Sequence, residues 1–431
     1  MKLFQKLLVA GTALGVLSPM AAQASEAFNL EAMNSYERAS SKAQRFDSTT
    51  FTKEVSNEIA TLKGRVDGLE VKQNEFEAGS FSDTTTLDGK AIFSVGQADT
   101  DDDAYTGKIQ GYYTYQMNLN TSFTGDDNLY VRIKSGNHQG YSVQKGEVNS
   151  YLKAGNGNAD NLKVDKIWYT TPIGDHHTVW IGPKIENYYM HGTTPSIYKP
   201  VLKAFTLGGN AAAYGASTDT GAGYAYKADN GFAFSTNVGT KSNSTTKSGS
   251  SYINTGLLTD ETKTSWATQV GYTQPRYSVS AIVNNKYNGW ADTSYFTSDD
   301  GALRGGDGSS TNIGLRAWWR PEETGTAVPS ISLGYDTSET DNATNSNTTA
   351  YFVGLNWQDM FSPDDRIGIA FGQPQKQEND EVDPFLYEIY YEYKVNDSIS
   401  VTPAIFGGTH ENASDVETDM TGYVVNTTFK F

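Results

Sequence analysis

The amino-acid sequence predicts an all-β fold: a 16-stranded antiparallel transmembrane β-barrel with a short N-terminal coiled-coil helix. Apolar and polar residues alternate with period two in many segments, most clearly in the last one, Thr421 to Phe431. Short and long connectors alternate between these segments, and large aromatic residues collect near the short ones. Closure of a barrel also explains a chain that stops on Phe431 without a polar tail, because closure removes the exposed strand edge.

Composition supports this fold class and excludes several functions. Of 431 residues, 19% are charged and 12% aromatic, with 27 Tyr and 42 Gly, which suits many strands and turns. A formal net charge of −17 argues against a nucleic-acid partner, which requires a clustered basic surface. Without cysteine the chain has no disulfides and no thiolate chemistry. No H-E-x-x-H, G-x-S-x-G or P-loop motif is present, so we predict no enzyme, no cofactor and no metal site.

The first residues predict export. Lys2 and Lys6 precede an apolar stretch that is too short to span a membrane, and Ala22 to Ala24 form an A-x-A cleavage site. We therefore assign residues 1–24 to a signal peptide and residues 25–54 to an N-terminal periplasmic segment. Export and a barrel together place the protein in an outer membrane, in contact with lipid and lipopolysaccharide.

Residues 55–78 carry a heptad pattern and predict the coiled coil. Its seam consists of Val55, Ile59, Leu62, Val66, Leu69, Gln73 and Phe76. A single amphipathic helix lying on the protein is the alternative. The seam predicts self-association; its residue types favour two strands in isolation, whereas a trimeric barrel would impose three, and we expect a homotrimer.

Residues 84–431 contain the predicted barrel. Its sixteen strands are placed at 84–96, 107–123, 128–136, 161–171, 177–184, 220–227, 231–239, 264–273, 276–285, 311–320, 327–336, 349–357, 366–373, 386–395, 398–407 and 419–431. Short turns at one end, long loops at the other and an even strand count are typical of bacterial outer-membrane barrels. A soluble β-sandwich is the alternative.

The two faces of the strands differ in the way a membrane barrel requires. One face carries aromatic residues near the short turns, which predict an interface girdle: Phe123, Tyr272, Tyr277, Trp319, Trp357, Tyr393 and Phe431. The other face carries polar and charged residues, among them Arg132, Lys134, Arg316, Glu388, Glu392 and Lys394. Lys or Arg facing lipid at mid-membrane costs roughly 2–4 kcal/mol, so these side chains predict a water-filled lumen.

The longest loop, residues 185–217, is too apolar for a loop that lies in water. We predict that it folds inward and narrows the lumen, with Glu186, His191, Lys199 and Lys203 as constriction candidates; an outward loop or a latch between protomers is the alternative. The acidic total favours a weak cation preference, which the basic lumen residues would reverse locally.

Several stretches resemble cyanobacterial outer-membrane porins of the family that joins an S-layer-homology domain, a coiled coil and a carbohydrate-selective (OprB-type) barrel. They are FNLEAMNSY (28–36), GRVDGLE (64–70), TTTLDGKAIF (84–93), YTTPIGDHHTVWIGP (169–183), GLRAWWRPEETG (314–325), SISLGYD (330–336), SISVTPAIF (398–406) and the final TTFKF. The resemblance implies a trimeric channel for small hydrophilic solutes, with sugars, inorganic ions and iron as the solutes associated with the family.

The chain departs from this family pattern before the coiled coil. Only residues 37–50 stand where the family places its S-layer-homology domain, so contact with peptidoglycan is doubtful. A non-conducting structural or receptor protein of the outer membrane remains the functional alternative.

Overall fold

The computed structural model describes residue 59 and residues 62–66, 80–82, 84–100, 107–138, 151–215, 218–245, 256–260, 262–290, 308–341, 347–411 and 417–431. The chain divides into two units, Met1–Lys72 and Gln73–Phe431. In the first unit, residue 59 and residues 62–66 are helical, and Ile59, Leu62 and Val66 of the predicted seam are exposed. The predicted signal peptide, the N-terminal segment and the rest of the coiled coil lie outside the described residues.

The second unit is built from antiparallel strands. They are β1 (Ser80–Ser82), β2 (Thr85–Thr100), β3 (Gln110–Thr121), β4 (Asn128–Gly136), β5 (Lys163–Ile173), β6 (His177–Ile185), β7 (Asp219–Lys227), β8 (Phe232–Thr245), β9 (Thr262–Gln274), β10 (Tyr277–Tyr287), β11 (Ser310–Trp319), β12 (Ser330–Thr340), β13 (Asn347–Gln358), β14 (Arg366–Gln377), β15 (Phe385–Lys394), β16 (Ile399–Glu411) and β17 (Glu417–Lys430).

Strands β2 to β17 form a closed barrel of sixteen strands, as predicted. Each pairs with its neighbour in sequence, and β17 pairs with β2 to close the sheet. The additional short strand β1 pairs with the start of β2. Closure leaves β2–β17 without a free edge, so the backbone groups of every strand face a partner. Among the described helices, none is long and apolar enough to cross a membrane.

Burial along the strands is the inverse of the pattern in a soluble protein. In β11, Asn312 and Arg316 are buried, whereas Ile313 and Leu315 between them are exposed. The predicted aromatic girdle lies on the outward face, where Tyr277 is 44% exposed. An apolar outside and a polar inside are what a membrane barrel with a filled lumen requires.

Candidate functional site

The loop between β6 and β7 spans residues 186–218, and its main described part, residues 186–215, lies against the inner wall of the barrel. It contains two short 3₁₀ segments, Asn187–Met190 and Lys203–Gly208. Side chains from seven strands bind its backbone: Ser235 of β8, Gln269 of β9, Asn284 and Lys286 of β10, Arg316 of β11, Ser332 of β12, Asn356 of β13 and Glu388 of β15. The prediction that this loop folds inward is confirmed.

Glu388 holds the middle of the loop. Its carboxylate accepts hydrogen bonds from the Tyr198 hydroxyl at 2.8 Å, from the Val201 amide at 3.1 Å and from the Leu202 amide at 2.6 Å. With these three donors, a single carboxyl group fixes the loop backbone to β15. Glu388 is fully buried beneath the loop, so this predicted lumen residue points inward but is covered by the loop.

Arg316 anchors the next part of the loop in the same way. Its Nε donates to the Leu207 carbonyl at 2.9 Å, its Nη2 lies 2.8 Å from the Asp336 carboxylate, and its guanidinium stacks 4.5 Å from the Tyr214 ring. Leu207 has a φ of 56°, a conformation that side chains other than glycine adopt at a cost. Arg316 is therefore a buried anchor that stabilises this strained turn.

A second loop joins the first inside the barrel. Leu152, in the connection between β4 and β5, forms an isolated β-bridge with Leu202. The Lys153 amide donates to Val201 and the Lys203 amide to Tyr151, both at 2.7 Å. Sequence analysis missed this contribution, because no alternation marks residues 151–160 as paired.

Charged side chains that remain partly accessible border the loop. Arg132 of β4 pairs with Asp165 of β5, with Nε to Oδ2 at 2.6 Å, and the two side chains are 14% and 22% exposed. Lys166, the next residue of β5, is buried and pairs with Glu186 at the start of the loop. These pairs are ionic contacts between the wall and the root of the constricting loop.

A second accessible charge group lies on β14 and β15. The Glu392 carboxylate pairs with Arg366 at 2.9 Å and with Lys394 at 2.7 Å. Lys199 of the loop is exposed, and its charge interacts with those of Arg366 and Glu392. The structure thus brings the predicted residues Glu392, Lys394 and Lys199 to one region.

Three predicted site residues remain: two lysine side chains and one buried histidine. Lys134 and Lys203 are partly exposed. His191 is buried near Asn237, and burial lowers the pKa of His191 to about 3. It is therefore neutral at pH 7 and adds no charge to the lumen.

An aromatic row stands beside the Arg132–Asp165 pair. Ring centroids are 4.2 Å apart for Tyr130 and Trp168, 4.6 Å for Trp168 and Tyr189, and 4.5 Å for Tyr189 and Tyr188. The row joins the wall to the loop root. Its members come from β4, β5 and the loop, so the proximity follows from folding and not from spacing in the sequence.

Closed barrels of sixteen strands with an apolar outside, a polar lumen and a long loop folded inside are porins of the outer membrane. This chain is such a porin, a channel for solutes. It belongs to the carbohydrate-selective porin, OprB family, whose model matches residues 46–407. The family resemblance seen in the sequence is confirmed.

The chain is also similar to another protein sequence and to solved porin structures. An uncharacterized protein of Nostoc sp. (strain PCC 7120), alr4550, is 27% identical over 415 residues, which cover 88% of this chain and 71% of the relative. Pseudomonas putida OprB superposes with a TM-score of 0.56 at 11% identity, covering 85% of this chain and 97% of that one. An anion-selective porin from Comamonas acidovorans gives 0.55 at 12% identity, with 81% and 99% covered. At these identities the structural matches show the fold alone.

Proposed function

We propose that this porin lets small hydrophilic solutes diffuse passively through a lumen that the loop of residues 186–218 narrows. The observation that carries the proposal is the binding of that loop to seven strands of the inner wall, beside charged side chains that stay accessible. A fixed loop with charged borders acts as an electrostatic filter by size and charge. No step of this transport needs catalysis, and we expect no enzymatic activity.

We propose neutral sugars as one solute class. The family is described as carbohydrate-selective, and in the aromatic row the buried Trp168 supports the tyrosines Tyr130, Tyr189 and Tyr188, whose partly exposed rings lie beside Arg132 and Asp165. Sugar rings pack their C–H faces on aromatic rings, while charged groups bind their hydroxyls. Partial exposure of Tyr188 and Tyr189 favours this use of the row.

We also propose a homotrimer, held through the barrel and through the coiled coil of residues 55–78. Exposure of the helical residues Ile59, Leu62 and Val66 supports pairing with other copies of the chain, because an apolar seam gains stability when it is buried. Cross-linking of membrane-inserted protein followed by mass measurement tests the number of copies.

Single-channel conductance in a planar bilayer tests the channel. Stepwise openings in multiples of a unit are the expected result, with reduced current when a sugar is added. Replacing Tyr189 by Ala should weaken the block by sugar while leaving the unit conductance in salt measurable. Inserted protein that never conducts would favour the alternative, a structural or receptor protein of the outer membrane.

A further inference from the structure

A row of basic residues crosses four adjacent strands on the lumen side. Backbone register pairs Lys430 of β17 with Lys90 of β2, Lys90 with Gln116 of β3, and Gln116 with Lys134 of β4. Neighbouring strands lie about 4.8 Å apart, so these side chains are immediate neighbours. We name Lys430, Lys90 and Lys134 the basic row.

The basic row faces the lumen. Side chains alternate between the faces of a strand, and on β2 the apolar Phe93 and Val95 are exposed on the outside. Lys90 therefore shares the inward face with Ile92 and Ser94, which are buried. Lys430 and Lys134 face the same way, because paired residues of neighbouring strands point to one side.

The fold itself gains nothing from this arrangement. Like charges directly opposite each other on neighbouring strands are destabilising, yet Lys430 and Lys90 are direct partners. Among the described residues, no acidic side chain lies within ion-pair distance of Lys430, Lys90 or Lys134, although the charge of Asp165 acts on Lys134 and that of Glu392 on Lys430 from farther away. Asp88, two residues before Lys90 on the same face of β2, accepts hydrogen bonds from the side-chain amides of Asn118 and Asn120.

Further lysines face the row from the two inner loops. Lys153 is exposed inside the barrel, and the backbone bridge between the loops places it near Lys203. Enclosure by the wall, followed by repulsion from Lys90, Lys199 and Lys203, lowers the pKa of Lys153. Wall and loop lysines thus act on one another, and a bound anion would relieve their repulsion.

We propose that the basic row and Lys153 bind small oxyanions in transit and make the channel prefer anions over cations. The inference rests on the proposed channel function and names its charge preference. Ammonium groups are compact point charges with three donors, suited to phosphate-like oxygens, and rings of Lys or Arg are a general means of selecting anions in pores. The acidic net charge of the whole chain predicted a preference for cations, but that net charge includes residues that do not face the lumen.

The test uses the full-length protein in planar bilayers under a salt gradient. For the wild type, the sign of the reversal potential should indicate anion selectivity, and inorganic phosphate should reduce the chloride current. In the Lys90→Gln/Lys134→Gln variant the anion-to-cation permeability ratio should fall about tenfold, the lower end of the counter-ion enrichment produced by charged clefts. Block by phosphate should weaken in parallel.

Lys376→Gln is the matched control. It removes one positive charge, where the double variant removes two, at the far end of β14, and Lys376 there pairs with the exposed Asp383 outside the basic row. This variant should keep the wild-type reversal potential. Heat-modifiable gel mobility, compared across the variants, shows that each barrel has folded.

Outcomes separate the failure of this inference from the failure of the channel. Conducting wild type with a neutral or cation-preferring reversal potential would overturn the inference and leave the channel intact. An unchanged permeability ratio in the double variant would do the same. If the inserted wild-type protein never conducts, the proposed channel function fails. The basic row is then tested by calorimetric titration of phosphate into the folded protein. The inference holds if the wild type binds phosphate and the double variant does not, and it fails if the wild type does not bind.

Discussion

At two of the short turns between strands, an aspartate carboxylate accepts hydrogen bonds from the backbone amides of the turn. Asp127, before β4, accepts hydrogen bonds from the amides of Phe123 and Thr124, from Ser122 and from the Tyr169 hydroxyl at 2.7–2.9 Å. Asp365, before β14, repeats the device with three turn amides and the Tyr391 hydroxyl. The bond from Tyr169, with those of the turn, lowers the pKa of Asp127 well below its ordinary value of 3.8.

Asp127→Asn should therefore destabilise the barrel in a pH-dependent way. A folded-state pKa that is depressed adds stability above the unfolded pKa of about 3.9, and this stability is lost as the pH falls through the folded value. We expect a lower urea midpoint for the variant at neutral pH and a smaller difference in strong acid. Asp126→Asn, in the exposed neighbour, is the control and should change little. An equal loss at both pH values would contradict the role of the ionised carboxylate.

The buried pair of Arg316 and Asp336 is also a residue-scale device. Both are nearly inaccessible, and Arg316 supports Leu207 of the loop. Arg316→Met alone should cost about 3–5 kcal/mol, because it leaves the Asp336 charge buried without a partner. Adding Asp336→Leu should recover much of that loss. A double-mutant cycle on the free energy of unfolding measures the coupling, and strictly additive losses would show that the two residues act independently.

At the scale of elements, the path of the inner loop is set by close backbone packing. A Cβ on Gly334 of β12 would lie 1.9 Å from the Gly208 carbonyl oxygen, so only glycine lets the loop lie on this strand. Gly208 and Gly209 have φ values of 75° and 107°, which glycine adopts without strain. The two glycines of the sequence GGN (residues 208–210) thus allow both the turn of the loop and its close contact with the wall.

Gly334→Ala should displace the loop from the wall without opening the barrel. We expect the unit conductance to change and current fluctuations to increase, because the filter is no longer fixed. Single-channel recording measures both. Gly111→Ala, at a strand position where a Cβ meets nothing within 4 Å, is the matched control. Identical records for Gly334→Ala and wild type would show that the loop tolerates the shift.

The strands could be predicted from the sequence because alternation is a local signal. All sixteen were placed, but not every outer end was: β4 ends at Gly136 as expected, whereas β8 was expected to end at residue 239 and continues to Thr245. Residues 240–245 are uniformly polar, so no alternation marks them, and the strand continues through backbone pairing alone.

The site was predicted in part, for a related reason. The inward face of each strand gave Arg132, Glu392 and Lys394, and the apolar content of the loop gave its inward position. Pairings such as Arg132 with Asp165 depend on strand register, which periodicity does not supply. Glu388 and Arg316 are buried because the inner loop lies over them, and the path of that loop is not evident from the sequence. Lys90 was missed, although it shares the inward face of β2 with Ile92 and Ser94.

For the whole molecule, closure of the sheet is the step on which the barrel depends. The last residue completes it: the Gly89 amide donates to the Phe431 carbonyl at 2.8 Å, and the Phe431 amide donates to Gly89 at 3.2 Å. The Phe431 ring lies over Gly89 and stacks on Tyr115 at 5.9 Å. Position 431 thus contributes both to the girdle and to the seam where the first and last barrel strands meet.

Phe431→Ala should weaken this seam more than the loss of another girdle ring would. The aromatic pair contributes about 0.5–1.5 kcal/mol beyond its buried area, and the seam joins strands far apart in sequence, so frayed ends there are not held by a turn. Phe123→Ala is the control, because Phe123 is on the outward face at a turn and makes no ring contact within the described residues. Phe431→Tyr keeps the ring and should restore the seam. We measure the temperature at which the folded gel mobility is lost. This temperature should be well below that of both other variants for Phe431→Ala. Equal decreases for Phe431→Ala and Phe123→Ala would mean that the girdle, and not the contact between β2 and β17, limits the stability of the barrel.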